Sequence, residues 1–256
     1  FYQCAAIGIV LAIYAQMLPN CPVNRNQEEK SFVQRMGLDA FKLFKSKQMA
    51  LFFIFSMLLG VSLQITNGYA TSYINSFQSI SADWFASNPT MLVSISQISE
   101  ALCILMTAFF LRRFGIKNVM LIAMFAWVLR FGLFGLGTTT TTIGVVALIA
   151  SCLVYGVAFD FFNVSGSLYV DKETDSSIRS SAQGLFMIMT NGIGATIGTL
   201  GAQEVINHFV YSQTDVLAQL DGWSTSWLIF AAYALVVAVL FAIIFKYKHQ
   251  PEKLQR

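Results

Sequence analysis

Seven long apolar stretches constrain this chain more than any other feature: roughly 1–18, 49–73, 90–111, 118–137, 143–168, 182–206 and 224–246. At 1.5 Å of helix per residue, each is long enough to cross a hydrocarbon core of ~30 Å. Charged residues make up only 11% of the chain, where a soluble domain carries roughly a quarter. A surface so poor in charge faces something apolar, and the expected fold class is an all-α membrane protein. The stretch at 143–168 fits a long, tilted span. The one at 182–206 is the most polar, holding Gln183, Asn191 and several glycines.

The basic residues assign sides. Arg25, Lys30, Arg35, Lys42, Lys45 and Lys47 occupy the first connector; Arg112, Arg113 and Lys117 the third; Lys172 and Arg179 the fifth. Lys246, Lys248, Lys253 and Arg256 form the tail, and the alternate connectors 74–89, 138–142 and 207–223 contain no Lys or Arg. Of sixteen basic residues, all but Arg130 therefore fall on one side, which the positive-inside rule makes cytoplasmic. A missed or invented span would have scrambled this parity. Within 24–48 the piece from Phe32 to Phe44 is amphipathic and suits the membrane surface. The chain starts at Phe1 inside an apolar stretch, without a Met, a basic leader or a small-residue cleavage site. It reads as a helix cut open and as part of a longer protein.

Three ionisable residues lie deep in apolar stretches: Glu100, Arg130 and Asp160. Each costs ~2.5–3.5 kcal/mol at a helix centre on insertion scales, so such residues line polar cavities, pair, or carry protons. Counted from the cytoplasmic ends at 1.5 Å per residue, Glu100 and Arg130 fall near ~18 Å and Asp160 near ~14 Å. All three sit close to the midplane, where transporter sites lie. The plain structural alternative is an Arg130–Asp160 ion pair that does no more than lock two helices together.

Neutral polar residues gather at the same depth. Gln64 and Asn67, three apart, share a helix face, and Gln97 and Glu100 repeat that spacing one span later. Tyr155 and Phe159, four apart, put two rings on one face. Amides, a carboxylate and an aromatic platform suit a flat, hydroxylated solute, although each alone also serves as interhelical glue or core. Gly192, Gly194, Gly198 and Gly201 permit close helix packing. Trp84, Trp223 and Trp227 are placed for an aromatic belt at the outer boundary. Cys4, Cys21, Cys103 and Cys152 show no metal or redox spacing, and His208 and His249 lie outside the spans. No Walker A, HExxH, GxSxG or CxxC motif is present, which speaks against an ATPase or hydrolase. A net charge of +3 gives no reason to expect nucleic acid. A seven-span receptor, a sugar or polyol carrier, and an intramembrane enzyme using Glu100 and Asp160 as acid and base remain open on residue types alone.

Two connectors resemble the basic turns of the major facilitator superfamily: Leu111-Arg-Arg-Phe-Gly-Ile-Lys117-Asn and Ile178-Arg179-Ser-Ser-Ala182-Gln183-Gly184. Gly37-Leu-Asp-Ala-Phe-Lys42-Leu-Phe-Lys45, Phe53-Ile-Phe-Ser-Met-Leu-Leu-Gly60 and Leu63-Gln64-Ile-Thr-Asn67 are similar to the bacterial nucleoside:H+ symporter family. So are Ser94-Ile-Ser-Gln97-Ile-Ser-Glu100 and Ala158-Phe-Asp160-Phe-Phe-Asn163-Val-Ser-Gly166. The resemblance runs from about 37 to 248. It implies the C-terminal six-helix bundle of a twelve-helix carrier plus part of the preceding helix. Residues 1–18 would be part of the sixth helix, 19–48 the cytoplasmic link between halves, 49–248 the bundle and 249–256 a cytoplasmic tail. It further implies Gln64, Asn67, Gln97, Glu100, Tyr155 and Phe159 as nucleoside contacts, and Asp160, Arg130 and Glu100 as the proton-coupling group. No cofactor beyond the coupling proton is expected. The implied partners are a nucleoside, the lipid bilayer and an N-terminal six-helix half, in a bacterial inner membrane.

Overall fold

The computed structural model describes residues 2–19, 37–80 and 87–247. Residues 32–36 of the amphipathic piece, Cys21, Trp84, His249 and the tail 249–256 lie outside them. Among the described residues there are helices and no strand. Two units are distinguished, Phe1–Met36 and Gly37–Arg256. In the first, α1 (Tyr2–Gln16) is a single helix with no buried residue.

The second unit opens with a 3-10 turn, Leu38–Lys45, where the amphipathic segment is expected. Gly37 precedes it at φ 71°, a left-handed conformation that glycine adopts without strain. Then follow α2 (Lys47–Ser76), α3 (Pro89–Gly135), α4 (Thr142–Glu173), α5 (Arg179–Tyr211) and α6 (Val216–Ile244). All five are long and apolar enough to cross a membrane. Helix α3 is two spans in sequence, and the structure breaks it at Gly115 (φ 78°, ψ 166°), inside the basic turn Arg112–Lys117. Only glycine tolerates that backbone at low cost, so one residue converts a continuous apolar helix into two arms. The apolar stretches of the second unit thus correspond to six helical arms. Helix α4, at 32 residues, is ~48 Å long and exceeds the hydrocarbon core. Helix α6 starts at Val216, earlier than hydropathy suggests, because Asp215 caps it: its carboxylate accepts from the Ala218 N–H at 3.1 Å. Thr141 does the same for α4, accepting from Gly144 N at 3.1 Å.

Small residues set the helix spacing. A Cβ on Gly194 would fall 2.4 Å from the Met57 carbonyl oxygen, and one on Gly198 would fall 2.8 Å from that of Val61. These two glycines seat α5 on α2, whereas Gly201 has open space around it. Helix α5 winds as a π-helix over Ile188–Gly194, which ends on the first of these glycines, and again at Asn207–Tyr211. At the end of the bundle where no Lys or Arg occurs, Tyr73 of α2 donates to the carbonyls of Phe134 (2.7 Å) and Gly137 (2.9 Å). Trp223 and Trp227 are buried there, against Tyr73 and, for Trp227, Phe131 and Phe134. The belt role expected for these two tryptophans is therefore wrong. Aromatic neighbours on three helices draw the rings inward, where ring-to-ring contacts stabilise more than an interfacial perch.

Candidate functional site

Both arms of α3 pack on α4, and the polar residues collect where they meet. On the first arm Ser99 donates to the Leu153 carbonyl, and Gly156 lies flat against the Ser99 backbone. On the second arm Arg130 and Ser151 are joined twice. Arg130 Nη1 donates to the Ser151 carbonyl at 2.6 Å, and Ser151 Oγ returns a bond to the Arg130 carbonyl at 2.9 Å. The guanidinium also lies over two rings, 4.5 Å from the centroid of Tyr155 and 4.9 Å from that of Phe134. Rings and carbonyl together hold the buried cation in place.

That geometry removes the plain structural alternative, an Arg130–Asp160 ion pair. Among the described residues the ion pairs are Asp39–Lys42 and Asp171–Arg179, and neither involves Arg130. Arg130 commits its Nη1 to the Ser151 carbonyl, nine residues from Asp160 along α4. Asp160 is buried, at 3% exposure, and its Oδ2 has no hydrogen-bond partner among the described residues. Within its electrostatic reach are Glu100, half-buried on the first arm of α3, and the uncharged side chains of Tyr155 and Cys103. The three deep charges are thus one caged cation and two neighbouring carboxyls.

The expected contact residues separate into groups. Asn67, Gln97, Arg130 and Tyr155 line one cavity of about 260 Å³, together with Thr66, Ser96 and Cys152. Gln64 does not line it; its Cβ would stand 3.2 Å from a Cβ on Gly198, so it faces α5. Glu100 and Asp160 also lie outside that lining. Tyr155 and Phe159 stack as expected, with centroids 5.7 Å apart and planes at 4°. Phe159 lines a separate groove.

Thr66 and Ser96 were not singled out from sequence. Each is adjacent to an amide that was, and an isolated hydroxyl in a helix usually bonds its own i−4 carbonyl. Here neither does: Thr66 Oγ1, Ser96 Oγ and Arg130 Nε are buried without a strong partner among the described residues, the Cys152 thiol beside Ser96 being a weak one. Three such atoms around one cavity are costly unless something polar enters it. His208 is exposed and distant from this lining.

Helices of membrane length enclosing buried charges and a polar chamber define a multi-pass membrane protein. The profile of the Nucleoside H+ symporter family matches residues 1–250, and the chain belongs to that family. It is 47% identical over 251 residues to nucleoside permease NupG of Escherichia coli (strain K12), covering 97% of this chain and 58% of that protein. It is 45% identical over 260 residues to xanthosine permease of the same strain, covering 99% and 60%. The fold matches crystal structures of nucleoside transporter NupG at TM-scores of 0.77 and, for an aspartate-to-alanine mutant, 0.82. Both are 46% identical and cover 96% of this chain and 60% of theirs. The bundle is therefore of the major facilitator type, and the chain spans about three-fifths of the length of these relatives.

Proposed function

We propose that this chain supplies the C-terminal half of a proton-coupled nucleoside carrier that works by alternating access in a bacterial inner membrane. The observation that carries the reading is the chamber that joins an aromatic face, two amides and three donors without a strong partner. The relatives' names supply the substrate class. A base stacks on the Tyr155–Phe159 platform, while Asn67 and Gln97, with Gln64 and Glu100 beside them, take ribose hydroxyls and base edges. At about 260 Å³ the chamber is smaller than the ~300 Å³ at which small-molecule pockets begin. The N-terminal half completes it.

Asp160, with Glu100 in reach, is the proton site. A buried carboxylate with an unpartnered oxygen is expensive as an anion, and taking up a proton removes that cost. The neutral, loaded carrier then turns inward, and release of the proton restores the charge. Arg130 serves the coupling group indirectly, as a fixed cation beside Tyr155. The tail after α6 lies on the cytoplasmic side, with the Lys- and Arg-rich connectors.

Radiolabelled uridine uptake by the full-length carrier, with and without a protonophore, tests this. Uptake should collapse with the protonophore and in Asp160→Asn, while uridine binding to Asp160→Asn persists. Full proton-driven accumulation by Asp160→Asn would remove Asp160 as the proton site. Unchanged uridine binding in both Gln97→Ala and Tyr155→Ala would remove the chamber.

A further inference from the structure

The stacked pair Tyr155–Phe159 contributes one ring to each of two cavities. Tyr155 faces the Arg130 chamber, and Phe159 faces a larger groove of about 660 Å³ between α4 and α5. That volume falls within the ~300–1,000 Å³ of small-molecule pockets. Phe159, Asn163, Ser167 and Asp171 all line the groove and recur every fourth residue, so they descend one face of α4. Gln183 and Asn191 meet them from α5.

The polar groups in the groove differ in what they leave free. Gln183 and Ser167 satisfy each other: Gln183 Nε2 donates to the Ser167 carbonyl at 2.7 Å, and Ser167 Oγ donates to Gln183 Oε1 at 3.1 Å. This closed pair forms a floor. Above it the Asn163 amide has no hydrogen bond with any described residue. The Asn191 amide meets only the Met187 sulfur, at 3.8 Å, a weak acceptor. Two free amides beneath the open face of an aromatic ring repeat the chemistry of the Tyr155 chamber. At the far end Arg179 Nε lies 3.0 Å from Asp171 Oδ1 without hydrogen-bond alignment. Both side chains are more than 40% exposed, so this contact opens at little cost.

We propose that this groove is a second nucleoside subsite. A nucleoside leaving the Tyr155 chamber rests there with its base on Phe159 and its ribose hydroxyls on Asn163 and Asn191. The inference rests on the nucleoside reading above and adds Asn163 and Asn191, which that reading does not use.

Radiolabelled 4-thiouridine, photoactivated on the complete carrier in membranes and mapped to residues by tandem mass spectrometry, tests it. The expected result is two sets of labels that excess uridine removes, one around Tyr155 and one among residues 163–191. Asn163→Leu and Asn191→Leu should each cut the groove label by about tenfold, as befits one lost hydrogen bond, with the chamber label kept. Label confined to the chamber overturns the subsite, as does groove label that excess uridine does not remove or that ignores both substitutions. Absence of any uridine-sensitive label on the unsubstituted carrier overturns the nucleoside reading itself.

Discussion

Gly156→Ala tests how the site wall is built. A Cβ on Gly156 would lie 2.5 Å from the Ser99 carbonyl oxygen, 2.6 Å from its carbon and 2.7 Å from Ser99 Oγ. Ordinary contact begins at 3.4 Å, so the α3 arm and α4 must part by about 3.4 − 2.5 = 0.9 Å along that line. Backbone cannot rotate away as a flexible side chain can. Overpacking of this kind costs ~1–3 kcal/mol, and the bond from Ser99 to the Leu153 carbonyl, if broken, adds ~0.5–1.5 kcal/mol. At ~2–4 °C per kcal/mol, the melting temperature should fall by roughly 3–18 °C. The same movement separates Gln97 and Glu100 from Tyr155 and Phe159. Misplacement of about 1 Å can cost up to ~10²-fold in rate, so uridine uptake should drop well beyond what the lower protein level explains. Gly132→Ala is the control, because nothing lies within 4 Å of its added Cβ; it should gain ~0.5–1 kcal/mol from the smaller entropy of the unfolded chain. The pair is read by thermal unfolding of purified protein and by uptake normalised to protein. If Gly156→Ala melts and transports like the parent, the close approach of α3 and α4 is refuted.

Three further outcomes follow from the same contacts. A thermal double-mutant cycle on Arg130→Gln and Asp160→Asn should be additive within ~0.5 kcal/mol, as for groups that do not pair; a large coupling would restore the ion pair that the structure lacks. Tyr73→Phe deletes the donor to the Phe134 and Gly137 carbonyls and should cost ~1–3 kcal/mol in unfolding, with uridine KM unchanged. Tyr247, just beyond α6, has its phenol pushed up from 10.0 to about 12, by burial first and then by the Glu173 carboxylate. The folded state thus holds this proton more tightly, so the contribution is complete below pH 10.0 and is lost as pH rises through about 12. Alkaline melting curves of Tyr247→Phe should lack that loss, and identical curves for the parent would remove it.

Much of this protein is settled by the one-dimensional order of its residues. Span length and the alternation of basic and base-free connectors mark out the helical arms, because both depend on distance along a helix and not on neighbours. The stacking of Tyr155 on Phe159 and the four-residue ladder below it are also local, set by helical period. The break at Gly115 lies in a turn that charge already marks. What a single helix cannot encode is its rotation against the next one. Rotation decides that Asn67 and Gln97 share a chamber while Gln64 turns to Gly198, though Gln64 and Asn67 are only three residues apart. It also sends Trp223 and Trp227 inward and brings the hydroxyls of Thr66 and Ser96 to the site. Arg130 makes the point most sharply. Its depth announces function in the sequence, but its choice of the Ser151 carbonyl over Asp160 is made by packing, since a buried cation takes the nearest geometry that satisfies it.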